Sequence, residues 1–192
     1  MLATANRHKV EEISEMLADH RIVVRSLGEF PGAPEIVEDG STYGENALKK
    51  ARSAAKFTGK PALADDTGLE VDALGGRPGL FAARFAGEGC TFQDNIRKLL
   101  DLLEGVPAER RGARFVCVLA FVLPGGRERV VEGELLGRIT EVPAGVGGFG
   151  YDPVFYVPEV GKTLAELAPE EKNRLSHRRR ALDKAREMIT GG

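Results

Sequence analysis

The spacing of apolar and polar positions changes several times along the chain, and each change marks an element. Leu2 and Ala3 make a short apolar start. A polar turn follows, and Val10, Ile13 and Leu17 then recur at helical spacing, so the segment reads as strand, turn and helix. Ile22 to Val24 is a short strand candidate, and the Pro- and Gly-rich residues 30–34 read as a loop. From Thr42 to Thr58, Ala47, Ala51, Ala54 and Ala55 predict a closely packed helix that Pro61 stops.

Residues 61–64 read as a buried strand running straight into Asp65-Asp66-Thr67-Gly68, which places two acids at a strand end. Gly75, Gly76, Pro78 and Gly79 make a turn. Thr91 is expected to cap a helix on which Ile96, Leu99, Leu100 and Leu103 share a face. Arg114 to Leu123 and Arg129 to Thr140 flank Pro124-Gly125-Gly126, which predicts a long hairpin. One helix is expected from about Pro169 to Ile189, with Leu175, Leu182, Ala185 and Ile189 along one side. Helices between strands indicate an α/β protein, and the hairpin means that the sheet is mixed rather than wholly parallel.

The length of 192 residues fits one large domain, or two lobes sharing a core, spanning residues 1–192. With 42% hydrophobic and 29% charged residues, composition is that of an ordinary globular protein. No apolar run approaches the roughly 20 residues of a membrane span, and the amino terminus has no secretory pattern. A soluble, cytoplasmic protein is the expectation. The formal charge of −2 gives no support for a broad nucleic-acid surface, so any phosphate site must be compact. Cys90 and Cys117 lack metal-ligand spacing, and both read as thiols outside any disulfide.

Two nucleotide patterns fail on context. Residues 145–150 fit G-x-G-x-x-G literally, but Tyr151-Asp152-Pro153 follows where a helix should open. Gly161-Lys162-Thr163 resembles the end of a phosphate-binding loop, yet its first glycine would fall at Tyr156.

Four other segments carry possible chemistry. Thr4 to Lys9 lies where a strand passes into a helix, so Thr4, Asn6 and Lys9 hold an anion, or Thr4 or Asn6 caps that helix while Lys9 is solvated. Asp65 and Asp66 suit a hard divalent cation or a general base, or one of them serves a turn; Glu38-Asp39 could add a ligand. In residues 147–153, Phe149 is either a platform for a base or, like Tyr151, part of the core. Lys172, Ser176, His177 and Arg178 make either a donor cluster on one helical face or a solvated basic face.

Together these segments resemble the inosine triphosphate pyrophosphatase family, hydrolases of non-standard purine triphosphates. The resemblance runs from Leu2 to Ile189 and rests on Thr4 to Lys9, Glu45-Asn46-Ala47, Ala64 to Leu69, Pro78-Gly79, Gly148 to Pro153 and Ser176-His177-Arg178. It implies a long, mixed, twisted sheet flanked by helices, in two lobes with the active site in the cleft between them. It implies Asp66 as catalytic proton acceptor and metal ligand, with Glu38 assisting the metal and Mg²⁺ as cofactor. Substrate binding falls to Thr4, Ala5, Asn6, Arg7, His8, Lys9, Lys50, Thr67, Phe149, Gly150, Tyr151 and Asp152. Lys172, His177 and Arg178 match the base-recognition end. The implied activity is hydrolysis of XTP, ITP or dITP to monophosphate and pyrophosphate by a homodimer. Two alternatives stay open: a Maf-type pyrophosphatase acting on pyrimidine or modified triphosphates, and a nucleotide-binding regulator without turnover.

Overall fold

The computed structural model describes residues 1–4, 6–18 and 22–190, with side chains through residue 186. Helix α1 (Arg7–Leu17) and helix α2 (Tyr43–Thr58) precede strands β1 (Ala62–Val71) and β2 (Pro78–Gly79). Helix α3 (Phe92–Leu102) then leads into the hairpin of β3 (Gly112–Val122) and β4 (Glu128–Ile139). Short strands β5 (Phe155–Val157) and β6 (Lys162–Thr163) come next, followed by helices α4 (Pro169–Leu175) and α5 (His177–Thr190).

The strands form one six-stranded sheet of order β2-β1-β3-β4-β5-β6. Pairing is antiparallel between β1 and β2, β4 and β5, and β5 and β6. Parallel pairing enters through Leu2, whose isolated bridges reach Ser26 and Leu63. The mixed α/β expectation therefore holds. The two amino-terminal strand candidates shrink, because Leu2 alone bridges its neighbours before Asn6 opens α1, and residues 22–25 stay outside any strand.

Contacts divide the chain into two compact units. The first comprises residues 1–66, 117–133 and 178–192; the second comprises 67–116 and 134–177. In the first, Ile13, Met16 and Leu17 of α1 pack with Leu2, Leu63, Leu119, Ala181 and Leu182. In the second, Ile96, Leu99 and Leu103 pack with Leu69, Val71, Leu135, Phe155 and Leu164.

Local chemistry accounts for most element ends. Asn6 accepts from the backbone N–H groups of His8 and Lys9 and so caps α1. Thr42 with Glu45, and Thr91 with Asp94, form capping boxes on α2 and α3. Helix α2 ends at Thr58 as expected, and Gly59, at φ 64°, turns the chain into the left-handed region before Pro61 is reached.

Two expectations are corrected. The strand holding Asp65 and Asp66 does not end at them but continues to Val71, because Leu69 and Val71 extend its buried pattern into the second core. The carboxyl-terminal helix is two helices. Ser176 takes extended dihedrals, φ −64° and ψ 151°, so Lys172 and Ser176 do not continue one helical face into His177 and Arg178. Serine competes for backbone hydrogen bonds and tolerates such a break. Neither Cys90 nor Cys117 is in a disulfide.

Candidate active site

Consecutive residues of a strand face opposite sides of the sheet, so Asp65 and Asp66 cannot share one set of partners. Both are buried, at 1% and 7% exposure. Asp65 Oδ2 meets Lys9 Nζ from α1 at 2.9 Å and Arg178 from α5 at 3.3 Å. Asp66 meets α2 instead. Lys50 Nζ lies 3.0 Å from its Oδ1, and Asn46 Nδ2 donates to its Oδ2 at 3.2 Å. Asn46 and Lys50 are one helical turn apart, which puts both on the face of α2 turned to β1.

The loop before α2 completes this group. Lys50 Nζ also binds Glu38 Oε1 at 2.7 Å, so one ammonium joins Glu38 and Asp66. The neighbouring acid, Asp39, pairs instead with Lys49, and both of those side chains are largely exposed. The structure thus brings Glu38, not Asp39, to Asp66. Gly40 allows the loop to sit there: its N–H donates to Asn46 Oδ1 at 2.8 Å, and a Cβ at Gly40 would come within 2.7 Å of that oxygen and 2.9 Å of Glu45 Cβ. Gly40→Ala is therefore expected to displace Glu38 and lower kcat/KM for a nucleoside triphosphate about tenfold, with little change in thermal unfolding, because a misplaced site group costs rate steeply. Steady-state kinetics beside a melting curve checks this.

Electrostatics separates the two aspartates. Burial alone would push Asp65 up, but Lys9, Arg178 and Lys50 together hold it far below the usual carboxylate range. Asp66 moves the other way. Burial raises it and Glu38 adds to the rise, which Lys50 and Asn46 only partly oppose. Asp65 is thus a fixed charge that anchors cations, whereas Asp66 is the more basic carboxylate, as a general base requires. Burial works against the charge of Lys50, yet Asp66, Asp65 and Glu38 raise it above its ordinary value.

The donor set also fits a divalent cation. Glu12, Glu38, Asp65 and Asp66 face Lys9, Lys50 and Arg178, four carboxylates against three cations. Among the described residues no three His, Cys, Asp or Glu side chains gather as a cage. Mg²⁺ in phosphate sites needs only one or two carboxylates, with substrate oxygens and water completing its shell.

At the start of α1, Thr4 Oγ1 accepts from Asn6 N–H at 3.1 Å, which leaves the hydroxyl hydrogen to donate elsewhere. With Asn6 Oδ1 turned to the helix, the amide NH₂ is the group directed away from it. The side chains of Arg7 and His8 are not brought to Asp65; they lie on the surface beside Glu11. Ala5 lies outside the described residues.

The second unit gathers the aromatic part of the expected set. Asp152 Oδ2 accepts from the N–H of Phe149 at 2.8 Å and from Lys172 Nζ at 2.6 Å. Lys172 Nζ also stands 4.6 Å from the centre of the half-buried Phe149 ring. Gly148, at φ 69°, makes this possible, since a Cβ there would strike Asp152. Tyr151 is a core residue whose hydroxyl donates to Ala82 O at 2.9 Å. His177 stacks on Phe115, with centroids 4.8 Å apart. Thr67 is half-buried on β1, and Gly150 follows Phe149 at φ 66°.

Arg178 belongs to the first unit. Its guanidinium, 1% exposed, is held by Glu12 and Asp65. No sequence pattern points to Glu12, and Asn46 stands out only within Glu45-Asn46-Ala47. The signal for Asn46 was its spacing of four from Lys50; Glu12 has no comparable signal, because its partner is 166 residues away.

Comparison with known proteins shows the family to which the chain belongs. The model of the Ham1 family matches residues 1–188. A dITP/XTP pyrophosphatase of Geobacillus kaustophilus is 54% identical over 100% of this chain and 96% of its own length. One from Desulforamulus reducens is 55% identical over 98% of this chain and 94% of its own. Among solved structures, a HAM1 protein from Coxiella burnetii superposes with a TM-score of 0.89 at 44% identity, covering 100% of this chain and 98% of that one. The Staphylococcus aureus Ham1 protein gives 0.87 at 39% identity, covering 99% and 97%. With a family match over residues 1–188 and relatives more than half identical along nearly the whole chain, this chain is a member of the Ham1 family.

Proposed function

We propose that the chain hydrolyses non-standard purine nucleoside triphosphates, XTP, ITP and dITP, to the monophosphate and pyrophosphate, and so keeps such bases out of nucleic acids. The observation that carries this reading is the Asp66 group: a buried, basic carboxylate joined to Glu38 through one lysine and steadied by Asn46. The names of the relatives, dITP/XTP pyrophosphatase, support the substrate class.

In the reaction Asp66 takes a proton from water as the water oxygen bonds to the α-phosphorus and the bond to the bridging oxygen of pyrophosphate breaks. Lys50 holds Asp66 in place and adds positive charge near the developing oxyanion. Thr4, Asn6 and Lys9 bind phosphate oxygens at the start of α1, where helix N–H groups favour an anion. Glu38 and Asp66 would hold Mg²⁺, which supplies neutralisation of the triphosphate charge. In the second unit Phe149 stacks the base, and Lys172 and His177 donate toward a 6-keto oxygen; adenine presents an amino group there and is disfavoured. A nucleotide-binding regulator has no use for such a base beside a second acid.

The reading treats residues 1–192 as one pyrophosphatase domain acting in the cytoplasm as a homodimer. Among the described residues no helix is long and apolar enough to cross a membrane. Leu136, an apolar side chain that β4 leaves exposed, supports a surface for a second copy.

A substrate panel tests the reading: ITP, XTP, dITP, GTP, ATP and pyrimidine triphosphates, with and without Mg²⁺, with pyrophosphate and orthophosphate measured separately. Mg²⁺-dependent release of pyrophosphate from ITP and XTP, with little from ATP, is expected. Orthophosphate would place the attack at the γ-phosphorus and overturn the mechanism. Turnover confined to pyrimidine triphosphates would favour the Maf-type alternative.

A further inference from the structure

Phe92 is the first residue of α3, and nothing local calls for an aromatic there. Thr91 caps the helix and Asp94 completes the capping box, so the start of α3 is already satisfied without it. Aromatic residues are only moderate helix formers, and this ring is left 36% exposed. Its contacts lie elsewhere. The Phe92 and Phe149 rings meet edge to face, with centroids 6.4 Å apart and planes at 66°. That is inside the range in which aromatic pairs attract. The Phe92 ring also lies along the loop backbone, where a Cβ at Gly150 would sit 3.5 Å from its Cε1.

The contact bears on a ring set in a glycine-rich loop. The backbone N–H of Phe149 is pinned by Asp152, but Gly147 and Gly148 precede it and Gly150 follows, so the neighbouring residues offer no side chains to fix its ring. Lys172, 4.6 Å from its centre, and Phe92, edge to face, both meet the ring. We propose that Phe92 is a positioning residue for base recognition: through its edge-to-face contact it sets the orientation in which Phe149 meets a purine. The inference rests on the reading of Phe149 as the base-stacking side chain.

A kinetic double-mutant cycle on ITP hydrolysis tests it. Phe92→Ala is expected to raise KM about threefold to tenfold while kcat changes less than about twofold, the scale of one lost aromatic pair. Phe92→Tyr keeps the ring and restores the parent KM. In a Phe149→Ala background, Phe92→Ala adds no further rise, because the group it positions is gone. An unchanged KM for Phe92→Ala, or an equal rise in the Phe149→Ala background, overturns the proposal. If Phe149→Ala alone leaves KM unchanged, the stacking reading fails and the inference fails with it; if Phe149→Ala raises KM and the two effects add, only the inference fails. Phe92→Leu, which keeps apolar volume without a ring, is expected to match Phe92→Ala. It decides the question should the alanine variant fold poorly.

Discussion

Asp66→Asn is expected to lower kcat for ITP by about 10²–10⁴-fold, the range that a positioned general base contributes, while ITP binding stays measurable. The substitution changes charge and basicity but hardly changes shape. Lys50 keeps its ion pair with Glu38, and Asn46 stays tied to the N–H of Gly40, so the surrounding group retains its anchors. What is removed is a carboxylate that burial makes more basic than usual. Steady-state turnover and equilibrium binding of ITP, measured on the same preparation, separate the outcomes. Near-normal turnover would take Asp66 out of the chemistry. Lost binding with an unaltered rate at saturation would make it an anchor for the nucleotide rather than the base.

Asp65→Asn is expected to act on stability, by about 3 kcal/mol or somewhat more, because it removes the common partner of two cations inside the protein. The Asp65 side chain has no exposure, Arg178 has 1% and Lys9 has 18%. Lys9 can turn toward water, but Arg178 cannot. Its remaining acidic partner, Glu12, limits the damage and places the expected loss toward the lower end of the range for broken buried pairs. Denaturant unfolding at neutral pH measures the loss as a shift in midpoint at constant slope. Replacing the pair together, Asp65→Leu with Arg178→Met, should recover much of it, since apolar groups of similar volume need no counter-charge. A cost below about 1 kcal/mol for the single change would show that water already reaches this cluster.

The different fates of two adjacent aspartates also show where sequence reasoning stops. Both were legible as an acidic pair beside a strand, and the family resemblance singled out Asp66. What the sequence could not supply was the division of labour. It follows from the alternation of β1, which turns Asp65 toward Lys9 and Arg178 and Asp66 toward Asn46 and Lys50. The segment was read as a strand ending at the acids, and only its continuation to Val71 makes that alternation the governing fact.

The carboxyl terminus teaches a related lesson. Helical spacing from residue 169 onward was real, but spacing is insensitive to a single extended residue, and Ser176 breaks the run between Lys172 and Arg178. Lys172 and His177 fall in the second unit and Arg178 in the first. Phe149 is similar: its glycine-rich surroundings were evident, but not whether its ring faced the core, because glycines impose no burial pattern.

By itself the sequence determined the helices with strong caps and apolar faces, the β3–β4 hairpin, and the types of residue at the site. Each of these depends on interactions between neighbours in the chain or on a repeating period. Only the tertiary structure decided that Glu38 rather than Asp39 reaches Asp66, that Glu12 and Asp65 share Arg178, and that Phe92 meets Phe149. Those pairings join segments far apart in the chain, and side chains of the same type compete for each of them. Their outcome is set by where the backbone places each Cα, which no local pattern encodes.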